Sequence, residues 1–176
     1  MHNIVPSIPT LDQYLTIQKE EPERFRPDKC PHCGKAGLWS HGHYDRKADR
    51  IDGSHNPVII PRFFCPSCHK TCSVFPECIS PRRWYLWSLQ QVALVLVLAG
   101  KSLTATAKKV TPSRHTISRW LGRLKERFRL HKDALTRHFI DLGRSSDFTG
   151  FWLACFKKIS LSRAMCFCNA AGVDIP

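Results

Sequence analysis

The sequence predicts an α+β protein, strand-rich in its first half and helical in its second, on three observations. Residues 29–79 are dense in Gly, Pro, Cys, His and aromatics, with short apolar runs such as "VIIPRFF". That pattern reads as strands joined by turns. At Ser80 the composition switches to longer segments with helical apolar spacing, opened by Ser-Pro and Thr-Pro pairs. The charge divides at the same place: residues 1–79 hold net +1 of the total +13, with 10 basic and 9 acidic side chains, and residues 80–176 hold net +12, with 17 and 5.

At 176 residues the chain suits one domain or two small ones. Residues 1–28 read as an N-terminal arm punctuated by Pro6, Pro9, Pro22 and Pro27, with a short amphipathic helix around Leu11–Ile17. Residues 29–79 form the β region. Ser80 is placed to cap a helix with Pro81 at its first position, and Gly100 to end that helix as its C′ residue. Ser102 caps a second, short helix over Leu103–Val110. Thr111-Pro112 repeats the signal and opens a third helix that extends as far as Leu142, completing a helical domain over residues 80–144. Residues 145–176 hold further helices in "DFTGFWLACFKKI" and "LSRAMCFCNAAG".

The chemistry sits in the cysteines. Cys30-x-x-Cys33 and Cys65-x-x-Cys68 are separated by 31 residues. Two such turns at hairpin tips supply four thiolates to a tetrahedral Zn²⁺, the geometry zinc prefers. Pro31 and Pro66 help fix the turns, and Gly34 supplies the positive φ often needed after the second cysteine, with His69 in the equivalent place. A redox dithiol would need a strand-to-helix junction, and "RFRPDKCPHCGKAG" shows neither flank. Independent buried thiols are the remaining alternative. The predicted ligands are therefore Cys30, Cys33, Cys65 and Cys68, with Cys72, His69, His41 or His43 as candidates to replace one of them.

These residues, in order, resemble the N-terminal zinc ribbon of bacterial insertion-sequence transposases and short related proteins. The matching positions are Cys30, Cys33, Gly34, His41, Gly42, Tyr44, Arg46, Arg62, Phe63, Cys65, Cys68, Thr71, Ser73 and Pro76. The resemblance spans roughly residues 28–122. It implies a small β zinc ribbon followed by a helix-turn-helix domain, a link to mobile elements, and packing rather than ligation for Cys72.

"LTATAKKVTPSRHTISRWLG", residues 103–122, fits the helix-turn-helix template, with Ala107 at the close approach and Val110, Ile117 and Trp120 toward the core. Thr111 and Pro112 depart from it, standing where Gly and an aliphatic residue are common, so the turn is modified by a cap and helix start. The first residues of its second helix would enter the major groove: Ser113, Arg114, His115, Ser118 and Arg119. Arg114 and Arg119 suit bidentate contacts to guanine, while Lys108, Lys109 and Arg123 suit phosphates. From Ile117 the apolar positions run on through Leu121, Leu124, Phe128, His131, Leu135, His138 and Leu142 at heptad spacing. That seam would either pair two subunits in a homodimer or pack on the chain's own C-terminal helices, the second being favoured.

The expected partner is double-stranded DNA, bound sequence-specifically. The alternative is an adaptor whose near-neutral zinc ribbon recruits a protein while the basic half holds nucleic acid non-specifically. Catalysis is not expected: transposases with this ribbon usually continue into a carboxylate-triad domain, and after Arg144 this sequence offers only Asp147 and Asp174 as acids. The longest apolar run, "VALVLVLA", is far short of a membrane span, and "MHNIVPSIPTLDQYL" lacks the form of an export signal. The expected location is the cytoplasm, associated with the nucleoid.

Overall fold

The computed structural model describes residues 2–5, 8, 10–47, 57–81 and 85–173, and the chain divides into two units, Met1–Leu86 and Trp87–Pro176. Among the described residues the first unit carries a four-stranded sheet and the second is helical, so the architecture is α+β.

The strands are β1 (His2–Val5), β2 (Trp39–Arg46), β3 (Val58–Phe64) and β4 (Thr71–Pro76), in spatial order β1-β4-β3-β2. β2 and β3 pair antiparallel, Trp39 opposite Phe64 and Arg46 opposite Val58. β3 and β4 also pair antiparallel, with Phe64 opposite Thr71, while β1 lies parallel to β4 with His2 opposite Ser73. The β2–β3 register shifts between Ser40 and His43, where Gly42 has a φ of 74°. This bulge interrupts the simple two-residue alternation of side chains along β2.

The N-terminal segment is not a separate arm. It supplies β1 and then α1 (Leu11–Glu20), which starts where the Thr10 hydroxyl accepts from the Gln13 N–H at 3.2 Å. Tyr14 is fully buried, donates its hydroxyl to the Ile59 carbonyl at 2.7 Å and meets Phe25 edge-on at 5.0 Å. The physical reason is the size of the sheet. Val58, Ile60 and Val74 need an apolar cover, and Ile8, Tyr14 and Phe25 join them in one core cluster. Burial pushes the Tyr14 phenol well above its ordinary range.

In the second unit α2 spans Trp87–Leu98. Its start falls later than Ser80-Pro81, and Arg82, Arg83 and Trp84 lie outside the described residues. Ile79 and Ser80 are instead buried in the first unit, where the Ser80 carbonyl accepts from the Arg46 guanidinium. A local capping signal is overridden there by the demand for burial. The other end follows the sequence: Gly100, at φ 91°, donates to the Val97 carbonyl at 3.0 Å and Lys101 to that of Leu96 at 3.0 Å. That is the paired Schellman pattern that closes a helix at glycine.

α3 covers Leu103–Ala107 and α4 Arg114–Glu126. α3 begins at Ser102 as expected, its hydroxyl accepting from the Ala105 N–H at 3.1 Å. The cap of α4 is Ser113 rather than Thr111, its hydroxyl accepting from the Thr116 N–H at 3.3 Å. Pro112 is consumed in the turn, where it is buried.

The long third helix is also corrected, because it breaks at Arg127 (φ −104°, ψ 17°) and resumes as α5 (Phe128–Thr136). The break swings the seam onto α6 (Phe148–Lys158) and α7 (Leu161–Ala170). Phe128 stacks edge-on with Phe148 and Phe151, both at 5.4 Å, His131 meets Trp152 at 5.7 Å, and His138 lies 4.5 Å from Phe167. The heptad residues are therefore spent inside the chain. Among the described residues, no helix is long and apolar enough to cross a membrane.

Candidate metal centre and the exposed basic helix

The two CxxC turns adopt the same backbone form. In the first, the Cys30 N–H donates to the Lys35 carbonyl and the Gly34 N–H to the Cys30 carbonyl, both at 2.8 Å. In the second, Cys65 donates to Lys70 and His69 to Cys65, both at 2.9 Å. Closing the loop this tightly forces the residue after the second cysteine to positive φ, 73° at Gly34 and 55° at His69. The sequence expectation for both positions holds.

Each turn aims its sulfurs at the other. Cys30 Sγ lies 3.7 Å from Cys68 Sγ, and Cys33 Sγ 3.7 Å from Cys65 Sγ. All four ligand atoms fall within 4.8 Å of one another. The distances are far beyond the ~2.05 Å of a disulfide, and the cysteines are free. Four soft donors around one point are placed to hold a single metal ion. Among the described residues this is the group so placed, and it matches the four cysteines read from the sequence.

The electrostatics of the cluster favour shared charge. At Cys65, burial works to raise the thiol, but the backbone N–H groups of Cys68 and Ser67, and then the sulfurs of Cys33 and Cys30, bring it down to about 6. Burial, reinforced by the neighbouring sulfurs of Cys30, Cys65 and Cys33, pushes the Cys68 thiol up to about 12.

The proposed substitutes stand outside the cluster. Cys72 is buried in β4 opposite Phe63, and burial raises its thiol. His41 and His69 are exposed and set their rings against Phe64, at 5.8 Å and 6.0 Å. His43 is exposed on β2. One feature the sequence reading missed appears here: Trp39, 62% exposed, packs its ring 6.3 Å from Phe64. A lone Trp before a bulge gives no sequence signal of that neighbourhood, because Phe64 is brought opposite only by the hairpin.

The second set of predicted site residues lies on and around α4. Ile117, Trp120 and Leu124 are its buried stripe. Lys108, Lys109, Ser113, Arg114, His115, Ser118, Arg119 and Arg123 are all exposed. Gly122 sits among them, and a Cβ there would meet nothing within 4 Å.

Fold and site together define an α+β protein with a four-cysteine site placed to hold a metal ion and a helical unit presenting an exposed basic helix. The chain belongs to the family described as "Domain of unknown function (DUF6431)", whose model matches residues 30–120, just over half of its 176 residues. The matched segment starts at Cys30, the first cysteine of the cluster, and runs into α4, so it takes in both cysteine pairs and the α3–α4 turn. No curated protein and no solved structure matches the chain.

Proposed function

We propose that the protein is a zinc-containing, sequence-specific DNA-binding protein related to mobile elements, either an accessory or orphan transposase-like protein or a regulator. The observation that carries this reading is α4. Its apolar stripe is buried, while every polar and basic residue assigned to a groove or phosphate contact is exposed on the same short segment. α3, the turn through Pro112 and α4 then act as a helix-turn-helix, with the N-terminal part of α4 as recognition helix. Gly122 supports it further. A helix-interior glycine costs about 1 kcal/mol against alanine, and the fold gains no packing from it, whereas a nucleic-acid backbone approaching α4 would.

Zinc is supported by arithmetic. Sulfurs about 2.3 Å from a tetrahedral zinc lie about 3.8 Å apart, against 3.7 Å for the two closest pairs described above. With all four positions taken by protein, such a zinc has no open site and is structural. In this reading the chain binds and does not catalyse.

Selection of bound duplex from a random pool, followed by binding assays on the recovered site, tests the proposal. Arg114→Ala and Arg119→Ala should each cost about 1–3 kcal/mol of preference for the selected site. Lys108→Ala with Lys109→Ala should weaken all duplexes alike and flatten the salt dependence. Unchanged preference in the arginine variants would remove α4 from recognition.

A further inference from the structure

A second surface, on the ribbon rather than on α4, has its own chemistry. Phe64 is the centre of a ring cluster: Trp39 at 6.3 Å, His41 at 5.8 Å and His69 at 6.0 Å. Trp39, His41 and His69 are exposed, and Trp39 leaves 62% of its surface to solvent. The site is built rather than accidental in two respects. Among the described residues β2 is the outer strand of the sheet, with no strand beyond its start. The tight metal-site turn fixes His69 at φ 55°, which aims its ring back at Phe64.

The surrounding charge says what this surface would hold. Residues 29–44 and 60–72, the end of the ribbon that carries the cluster, contain four basic residues, Lys29, Lys35, Arg62 and Lys70, and no acidic one. The near-neutral total of the first half conceals this, because its nine acids fall outside those two stretches of sequence. Glu23 is brought toward them by Arg26, which also donates to the Leu38 carbonyl, and its charge is paired with that guanidinium at 2.6 Å. Exposed rings beside cations, with no anion among them, match a ligand with flat π faces and a polyanionic backbone. A rigid duplex keeps its base faces covered, so the matching ligand has them open.

We propose that Trp39, His41, Phe64 and His69 form a stacking platform for unpaired bases of a single-stranded nucleic-acid segment, with Lys35 and Lys70 on its backbone. The platform is a binding surface separate from α4. A chain with both would hold a duplex through one unit and an opened or unpaired strand through the other. It does not rest on the recognition-helix reading, and either can fail alone.

The test uses the full chain as purified, with its metal content measured, and a labelled oligothymidylate of about 20 nucleotides followed by anisotropy. Trp39→Ala should weaken binding by about five- to a hundred-fold, and Trp39→Phe should restore most of it. In a Trp84→Phe background, which takes the fifth tryptophan out of the signal, the oligonucleotide should also quench a fluorescence component that is missing in both variants, because Trp87, Trp120 and Trp152 are buried. Arg114→Ala with Arg119→Ala should leave that quenching in place. Equal affinity in Trp39→Ala with unchanged metal content would overturn the platform. So would inorganic polyphosphate competing as well as the oligonucleotide, which would reduce the surface to a charge effect. A Trp39-dependent self-association or protein partner, with oligonucleotide affinity unchanged, would overturn it in favour of that other occupant.

Discussion

The two units are stabilised in different ways. In Met1–Leu86 the core combines large apolar groups, with Tyr14, Phe25, Phe75, Ile60 and Ile79 fully buried, and the buried cysteines Cys30, Cys65 and Cys72. Two of those three belong to the four-cysteine group placed to hold a metal ion. In Trp87–Pro176 Trp120, Trp152, Phe151, Leu124 and Ile117 are fully buried on helices, and its buried cysteines, Cys155, Cys166 and Cys168, stand outside that group. Packing contributes in both units, because each large buried aromatic removes roughly 150–250 Å² from water. The first unit adds four cysteines placed so that one metal ion would cross-link its two turns. Metal chemistry can therefore govern stability in the first unit, while packing alone is available to the described residues of the second.

Chelation, or Cys65→Ser, should break this contrast most visibly. A structural zinc site contributes about 10–16 kcal/mol of apparent binding free energy to folding, so the first unit should lose its ordered state while the helical circular dichroism of the second persists. If both units melt together on chelation, the comparison is wrong. Trp152→Ala should act in the opposite sense. Deleting a fully buried tryptophan costs about 3–5 kcal/mol, so the helical unit should melt at lower temperature while metal content stays unchanged. The finest test compares the two cysteine turns. Gly34→Ala puts a side chain at φ 73° and should destabilise the metal-bound first unit by about 1–2 kcal/mol, whereas His69→Gly at φ 55° should stabilise it by a comparable or smaller amount. Equal effects in chelator competition would show that the turns do not hold their positive φ in solution.

Much of the metal site was legible because its information is local. Each CxxC turn is closed by hydrogen bonds within six residues, so spacing alone implies its form, and the glycine after Cys33 reports the backbone conformation directly. The same locality made Gly100 and Ser102 readable as a helix stop and a helix start. The N-terminal strand was not legible for the opposite reason. β1 pairs with β4 across about seventy residues, His2 with Ser73, and a parallel pair leaves no hairpin turn to announce it. The break at Arg127 was hidden by a seam that keeps its heptad spacing through it. Only the positions of Phe148, Trp152 and Phe167 show why the chain turns there. Ser80-Pro81 failed as a helix start since Ile79 and Ser80 are held in the first unit, and burial outweighs the ~1 kcal/mol of a cap.

By itself the sequence determined the α+β order of strands then helices, the four cysteines that face one another and the exposed basic face of α4, because each is written in spacing, composition or charge; the structure divides the chain after Leu86 rather than at residue 80. Only the tertiary structure decided that the first residues belong to the sheet, that the long seam is spent on α6 and α7, and that Trp39 and His69 meet over Phe64. Those outcomes depend on which distant surfaces compete for burial, a competition that no local stretch of chain records.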